Sequence, residues 1–418
     1  MQHLPFEREL TPASALDRVQ DDLNELGLRW RLRMLGGAWP TVLAELFDGQ
    51  GAKVSQGVGK GRTELALVGA LFEALEHWCT DRSNGAAVSI ESSHGFTGIE
   101  LCRDEKAVEL LSKAPEAPLA CRQYTQIGGE RPLSYPLFLA KPNYWRSPRV
   151  EGDAFDYGSL VRYGSNSGTA IGASFEEACI HALSEAVERD ALSAFLARRI
   201  YQPSAGSRLA VVDTATLPRP AAELLATAEA EAGGRVHLLD LDRGFGVPVF
   251  LAVADGAAGG PARFGAGASL NAEYAAIRAV SELLQILHVG SEPEVAQERQ
   301  AQMDRLAPYP RLLRCATFQV GQLIERDGAA SVDFAAIPSR PAGGPLADWL
   351  ADLTGRLARR GRSAFAANVH VTPLGTHVTS VVVPGFDRFF NVTLGSPVLP
   401  SSSALADLPA GGEWCRVA

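Results

Sequence analysis

Gly164-Ser165-Asn166-Ser167-Gly168-Thr169-Ala170-Ile171-Gly172 leads into a run that carries Glu177, Ala178, Ala182, Glu185, Glu188 and Arg189. Counted from Glu185, Ala178 lies at −7, Ala182 at −3 and Glu188 at +3. On a helix these positions all fall within about 60° of one line. Two other stretches repeat the spacing: Ala66, Ala70, Glu73 and Glu76, then Ala275, Ala279, Glu282 and Gln285. Small residues and acids therefore share one stripe on each of three helices. Alanine beside glutamate allows close approach to the backbone, and acids gathered where apolar side chains would pack need a compensating cation. A bound divalent metal meets that need.

Each stripe follows a glycine-rich lead-in. Ser55-Gln56-Gly57-Val58-Gly59-Lys60-Gly61 precedes the first, with Thr63 expected as its N-cap. Ser174 is expected to cap the second, with Glu177 completing a capping box. Gly265-Ala266-Gly267-Ala268-Ser269 precedes the third, where Ser269 or Asn271 can cap. Glycine turns and helix N-termini suit an anion such as phosphate. Oxygen-only acids beside them suggest magnesium and a nucleotide. Taken singly, each unit also reads as an ordinary α/β layer with a solvated Glu pair. The threefold occurrence, with Arg189 after Glu188 and Arg278 four residues before Glu282, favours a polyphosphate site.

On these residues the chain resembles the YcaO superfamily, whose members bind ATP and magnesium through three such segments. Gly59-Lys60-Gly61 running to Glu73-x-x-Glu76 is similar to the first, although Glu76-His77 stands where Glu-Arg is usual. Ser165 to Gly172, running through to Asp190, is similar to the second, with Ser167 in place of the usual Asn before the glycine. Gly265 to Ser269, then Arg278-Ala279-x-x-Glu282-x-x-Gln285, is similar to the third. Arg8 to Leu16, followed by Leu23-x-x-Leu26-Gly27, resembles the N-terminal element that touches the nucleotide with a basic residue and a hydroxyl. The resemblance implies ATP and Mg2+ as cofactors. It implies Arg8, Ser14, Lys60, Ser165, Asn166, Arg189 and Arg278 around the nucleotide, and Glu73, Glu76, Glu185, Glu188 and Glu282 on the metal. The catalytic base is not assigned.

The similar segments run from about residue 8 to about residue 390, so one catalytic unit over residues 1–395 and a tail over 396–418 are expected. The net charge of −9 and the lack of a basic arm argue against nucleic acid. Six cysteines, Cys79, Cys102, Cys121, Cys179, Cys315 and Cys415, are scattered without a Cys-x-x-Cys pair, which fits reduced thiols. Eight histidines form no metal motif, but His77 and His181 lie on the first and second stripes' helices, His181 at the −4 position that Arg278 holds in the third. With no signal-peptide pattern and no long apolar run, a cytoplasmic protein away from membranes is expected.

The punctuation predicts an α/β protein with mixed sheets. Helices are expected near Ala13 to Leu26, Thr63 to Thr80 and Leu346 to Arg359. Strands are expected near Trp30 to Leu35, Thr41 to Phe47, Val236 to Leu241, Val247 to Ala254, Ala364 to Thr372 and His377 to Val383. Residues 114–163 read as strands joined by long loops, and residues 296–345 as a polar, partly ordered cover.

The resemblance implies that a nucleophile adds to a peptide carbonyl whose oxygen takes the γ-phosphoryl group of ATP and leaves as phosphate. A substrate Cys, Ser or Thr then gives an azoline, and external sulfide a thioamide. Cyclodehydration within a ribosomally made peptide is the leading expectation. Thioamidation with a TfuA-like partner, amidine formation or an accessory role in ribosomal-protein methylthiolation are the alternatives. Leu408 to Ala418 lacks the Pro-x-Pro-x-Pro ending of many azoline-forming relatives. The family's cyclodehydratases commonly find a precursor peptide through a leader-binding module related to ubiquitin-activating enzymes. Since the similar segments begin within the first residues, that partner is expected to be separate, and a homodimer is allowed.

Overall fold

The computed structural model describes residues 6–406 except 85–86, 97–98, 103, 147, 204–207 and 258. Three sheets carry the fold. The first is an antiparallel meander of Arg29–Leu35, Thr41–Phe47 and Lys53–Lys60. The second runs, in spatial order, Val88–Ser92, Pro118–Gln126, Phe365–Val371, His377–Val382 and Thr169–Gly172, with Pro132–Pro136 also on Pro118–Gln126. The third runs Arg263–Ala268, Val249–Ala254, Val236–Asp240, Leu209–Val212 and Ala329–Val332, the last pair parallel. One outer strand of each sheet leads directly into an acidic helix: Lys53–Lys60 into Thr63–Arg82, Thr169–Gly172 into Phe175–Leu196, and Arg263–Ala268 into Ala272–Gly290.

Side-chain size sets how closely strand and helix approach. A Cβ on Gly59 would lie 1.8 Å from the Ala66 carbonyl oxygen, and one on Gly57 2.3 Å from the Ala74 amide nitrogen. In the third sheet a Cβ on Gly267 would meet the Ala275 carbonyl at 2.3 Å, and one on Gly265 the Leu283 amide at 2.2 Å. Ala66, Ala70, Ala275 and Ala279 are fully buried. The small residues of the stripe thus receive the glycine strand, and the glutamates at the stripe's end project beyond it. These glycines belong to strands packed on helix backbone, which corrects their reading as phosphate-cradling turns.

Other local readings change as well. Arg62, without a side-chain hydrogen bond, occupies the N-cap expected for Thr63. Ser174 caps as expected, but the Glu177 carboxylate turns to Arg8 and the Glu9 amide. Asn271 caps the third helix, while Ser269 bonds Glu7. Residues 296–345 contain ordered elements: helix Pro293–Leu306 reaches into them, followed by helices Pro310–Ala316 and Val320–Asp327 and strand Ala329–Val332. Helix Arg219–Ala232, entered through a proline and closed by left-handed Gly233, packs on the third acidic helix.

Buried polar contacts lock the units together. Thr41 of the first sheet meets His288 Nδ1 at 2.9 Å, and His288 Nε2 contacts Glu231 of helix Arg219–Ala232. Asp387 accepts from Ser401 N at 2.8 Å, holding residues 396–406 on the body; the rest of the expected tail, 407–418, lies outside the described residues. No helix among the described residues is long and apolar enough to cross a membrane. Substituting Gly59→Ala forces backbone apart and should destabilise the chain by at least about 2 kcal/mol. Gly37→Ala, with nothing within 4 Å, should be close to neutral, and chemical denaturation of the two variants checks the contrast.

Candidate active site

The ends of the three stripes meet. Lys60, at the end of its strand, bonds Glu282 of the third helix at 2.8 Å. Arg189 of the second helix lies 3.6 Å from Glu185, 3.6 Å from Glu188 and 3.9 Å from Glu282, with its guanidinium over the Phe390 ring. Arg278 of the third helix reaches His181 Nδ1 of the second at 2.8 Å. Arg8 approaches His181 Nε2 at 2.5 Å and Glu177 at 3.0 Å. Sites more than two hundred residues apart in sequence thereby share one cluster.

Burial and mutual repulsion govern the acids. Burial pushes Glu76 well above the ordinary carboxylate value, and Glu73 and Glu185 push it the same way. Burial also raises Glu73 and Glu185, opposed by His77 and Lys60 for the first and by Arg189 and Arg278 for the second. Glu188 is pushed up to about 7 by burial and by Glu282 and Glu185, against Arg189 and Arg278. Glu282 goes the other way: burial would raise it, but Lys60 and Arg189 hold it below the usual range. One carboxylate is thus held ionised while its neighbours resist ionisation.

Several groups face the cluster with bonds unmade. Glu188 Oε2 and Arg278 Nε are buried without a hydrogen-bond partner. His181 has guanidinium donors against both ring nitrogens, yet a neutral imidazole accepts at only one. Burial, then Arg8, Arg278 and Lys60, keep that imidazole neutral. One arginine N–H is therefore left seeking an acceptor, which an anionic oxygen supplies. Among the described residues no three His, Cys, Asp or Glu side chains form a ready metal cage. The donor set suits Mg2+ carried with a polyphosphate, since that ion takes one or two carboxylates and completes its shell with phosphate oxygens and water.

A family model described as "YcaO cyclodehydratase, ATP- and Mg2+-binding" matches residues 58–387. The chain belongs to the YcaO family. ATP and Mg2+ are this family's cofactors. An uncharacterised protein of Methanothermobacter thermautotrophicus is 32% identical over 239 residues, which are 55% of this chain and 57% of that protein. The match thus spans little more than half of the relative. The YcaO protein of Methanopyrus kandleri, solved with AMPPCP and Mg2+, shares the fold at 21% identity and a TM-score of 0.63, covering 94% of this chain and 96% of that one. A heterocyclase solved with substrate and cofactor shares it at 19% identity and a TM-score of 0.64, over 91% of this chain but 53% of the heterocyclase. The Escherichia coli microcin synthetase McbBCD complex bound to pro-MccB17 gives 12% identity and a TM-score of 0.54, over 85% of this chain and 87% of that one.

Of the residues picked out from sequence, Glu73, Glu76, Glu185, Glu188, Glu282, Lys60, Arg8, Arg189 and Arg278 of this YcaO chain come together. Ser14 is exposed and pairs with Thr11; Ser165 caps its own turn at Ser167 N; Asn166 is exposed beside it. Gly168, two residues on, hydrogen-bonds Glu185 through its backbone. Glu7 escaped the sequence reading, and Glu177, read there only as a capping residue, is Arg8's partner. Glu7 is buried at a positive φ of 57°, bonded to Ser269, and raised by burial against Ser269, Arg278 and Arg8. The signal available for His181 was its register with Arg278, and these two residues do touch.

The sign of the Glu188 shift makes a test. Unfolded, the group titrates near 4.5; folded, near 7. Folding favours its protonated form, so the stability present below pH 4.5 is lost as pH rises through about 7. In EDTA and without nucleotide, Glu188→Gln should melt above wild type at pH 8, and the gap should close toward pH 4.5, as followed by scanning calorimetry.

Proposed function

We propose that this chain activates peptide backbone amides at the expense of ATP, chiefly for cyclodehydration of Cys, Ser or Thr to azolines in a ribosomally synthesised, post-translationally modified peptide. The observation that carries the reading is His181 set between Arg8 and Arg278, beside acids on three helices, with an arginine donor left over for an anion. In this reading Glu73, Glu76, Glu185, Glu188 and Glu282 serve Mg2+, and Arg8, Lys60, Arg189 and Arg278 serve the phosphates, with Ser14, Ser165 and Asn166 at the nucleotide's margin. ATP supplies the phosphoryl group that turns an amide oxygen into a leaving group, and Mg2+ offsets the charge that develops.

The chain's own residues orient and neutralise. Lys60 and Arg189 keep Glu282 ionised and aimed, and Phe390 supports the plane of Arg189. The unpartnered oxygen of Glu188 offers a site for a cation or a proton. Such a site catalyses mainly by positioning and by fixed charge, so one misplaced partner costs rate rather than fold. Residues 1–395 form the catalytic unit in this reading and 396–418 its tail. Among the described residues five cysteines are buried free thiols, which supports a reducing, cytoplasmic setting. TfuA-partnered thioamidation is the second reading, with amidine formation or an accessory role in ribosomal-protein methylthiolation beside it. Likeness to a synthetase complex with its peptide bound supports a separate partner, one related to ubiquitin-activating enzymes or TfuA-like, that presents the precursor peptide.

Glu185→Gln and Glu282→Gln should each lower Mg2+-dependent ATP hydrolysis at least about a hundredfold, if each removes roughly 2.7 kcal/mol of transition-state stabilisation. Unaltered circular dichroism would show the fold intact, and wild-type turnover in both variants would sink the site. Incubation with ATP, Mg2+, candidate precursor peptides and neighbouring gene products should remove one water per modified residue by mass spectrometry. Exchange of oxygen for sulfur would establish the second reading, and full activity without any partner would refute the partner's role.

A further inference from the structure

Away from the acidic cluster, a cavity of about 440 Å³ opens beside the end of helix Arg219–Ala232, the third sheet and helix Pro293–Leu306. Arg235, Arg263, Arg299 and His237 line it. Asp255, the acid in its wall, is already engaged: its carboxylate accepts from Val320 N at 2.7 Å and Gly321 N at 3.0 Å. Arg263 donates one Nη to the Asp255 carbonyl, while its Nε is buried without an acceptor, as is Nδ1 of His237. Arg299 makes a long backbone contact, 3.4 Å to the Ile286 carbonyl. Burial pushes Arg299 below its usual range, and burial and Arg235 do the same to His237.

Three guanidiniums against one carboxylate leave two positive charges around the cavity. Planar guanidinium forks match phosphate oxygens, and a dianionic phosphate monoester balances the charge. The volume lies within the range of small-molecule sites and exceeds what a bare phosphate fills. Gly233, Gly234, Gly256 and Gly260 leave stretches of wall free of side chains, where a ligand body can lie against backbone. We propose that this cavity binds a small phosphorylated organic molecule at a second site, separate from the acidic cluster. Arg299 touches the last turns of the helix that bears Arg278 and Glu282, and Arg263 begins the strand that leads into it. The ligand would therefore grip both ends of one strand–helix unit.

AMP and inorganic phosphate are the probes, titrated calorimetrically into the full chain pre-saturated with Mg2+ and a non-hydrolysable ATP analogue. One AMP per chain is expected, at least tenfold tighter than phosphate. Arg263→Ala and Arg299→Ala should each weaken AMP about tenfold, the value of one charge-assisted contact. Arg235→Glu, at an exposed position where misfolding is not at issue, should do the same. The proposal is overturned if neither probe saturates by about 10 mM, where less than roughly 3 kcal/mol would be at stake. It is equally overturned if phosphate matches AMP, or if Arg235→Glu and Arg299→Ala bind AMP like wild type.

Discussion

Helix backbone lying directly on strand backbone is the constraint from which the rest of this architecture follows. Gly57 and Gly59 in one sheet and Gly265 and Gly267 in another admit no Cβ, so the helices above them sit closer than ordinary side chains would allow. That closeness fixes each helix in rotation as well as distance, because only the alanine stripe can face the glycines. The glutamates one turn further along the stripe then have a single direction to point. Rigid seating of this kind is what a cluster of repelling charges requires, since loose helices would turn the acids away from one another into water.

Opposite charges are distributed unevenly among the acids. Lys60 and Arg189 converge on Glu282 and hold it ionised, whereas Glu76 meets mainly other carboxylates. On the other side of the cluster two arginines crowd a neutral histidine that cannot satisfy both. The cluster thus gathers carboxylates at one end and surplus donors at the other. A metal–polyphosphate carries the complement of that polarity in one molecule, which explains why the same few side chains can serve cation and anion together.

Periodicity made the acidic helices and most strands legible, because their spacing of small, acidic and apolar residues is local. It could not show what the small residues were for: a glycine strand and a phosphate turn look alike until the partner surface is known. Glu177 stood in a good capping position and was taken by Arg8, 169 residues away, a contact with no local trace. Ala329–Val332 is four residues long and pairs with Leu209–Val212, so nothing nearby announces it. Helices Pro293–Leu306 and Val320–Asp327 read as cover because they bury few of their residues and begin near prolines or polar turns. Within the site, charge type and register were readable. The ionisation pattern was not, since it depends on which cation lands on which acid.

The buried contact of Thr41 with His288, and of His288 with Glu231, sets a condition on any attempt to build hybrids from members of this fold. Three separate stretches of chain supply the three residues, and the imidazole ring stands where a Cβ on Gly36 would collide with it. Grafting the first sheet and its helix from another parent would leave His288 facing a foreign hydroxyl position and a foreign turn. Thr41 and Gly36 must travel together, and both must match the His288 and Glu231 that stay behind. A crossover that respects every visible boundary between sheets can still fail at this joint, which makes the joint a better guide to where such hybrids should be cut.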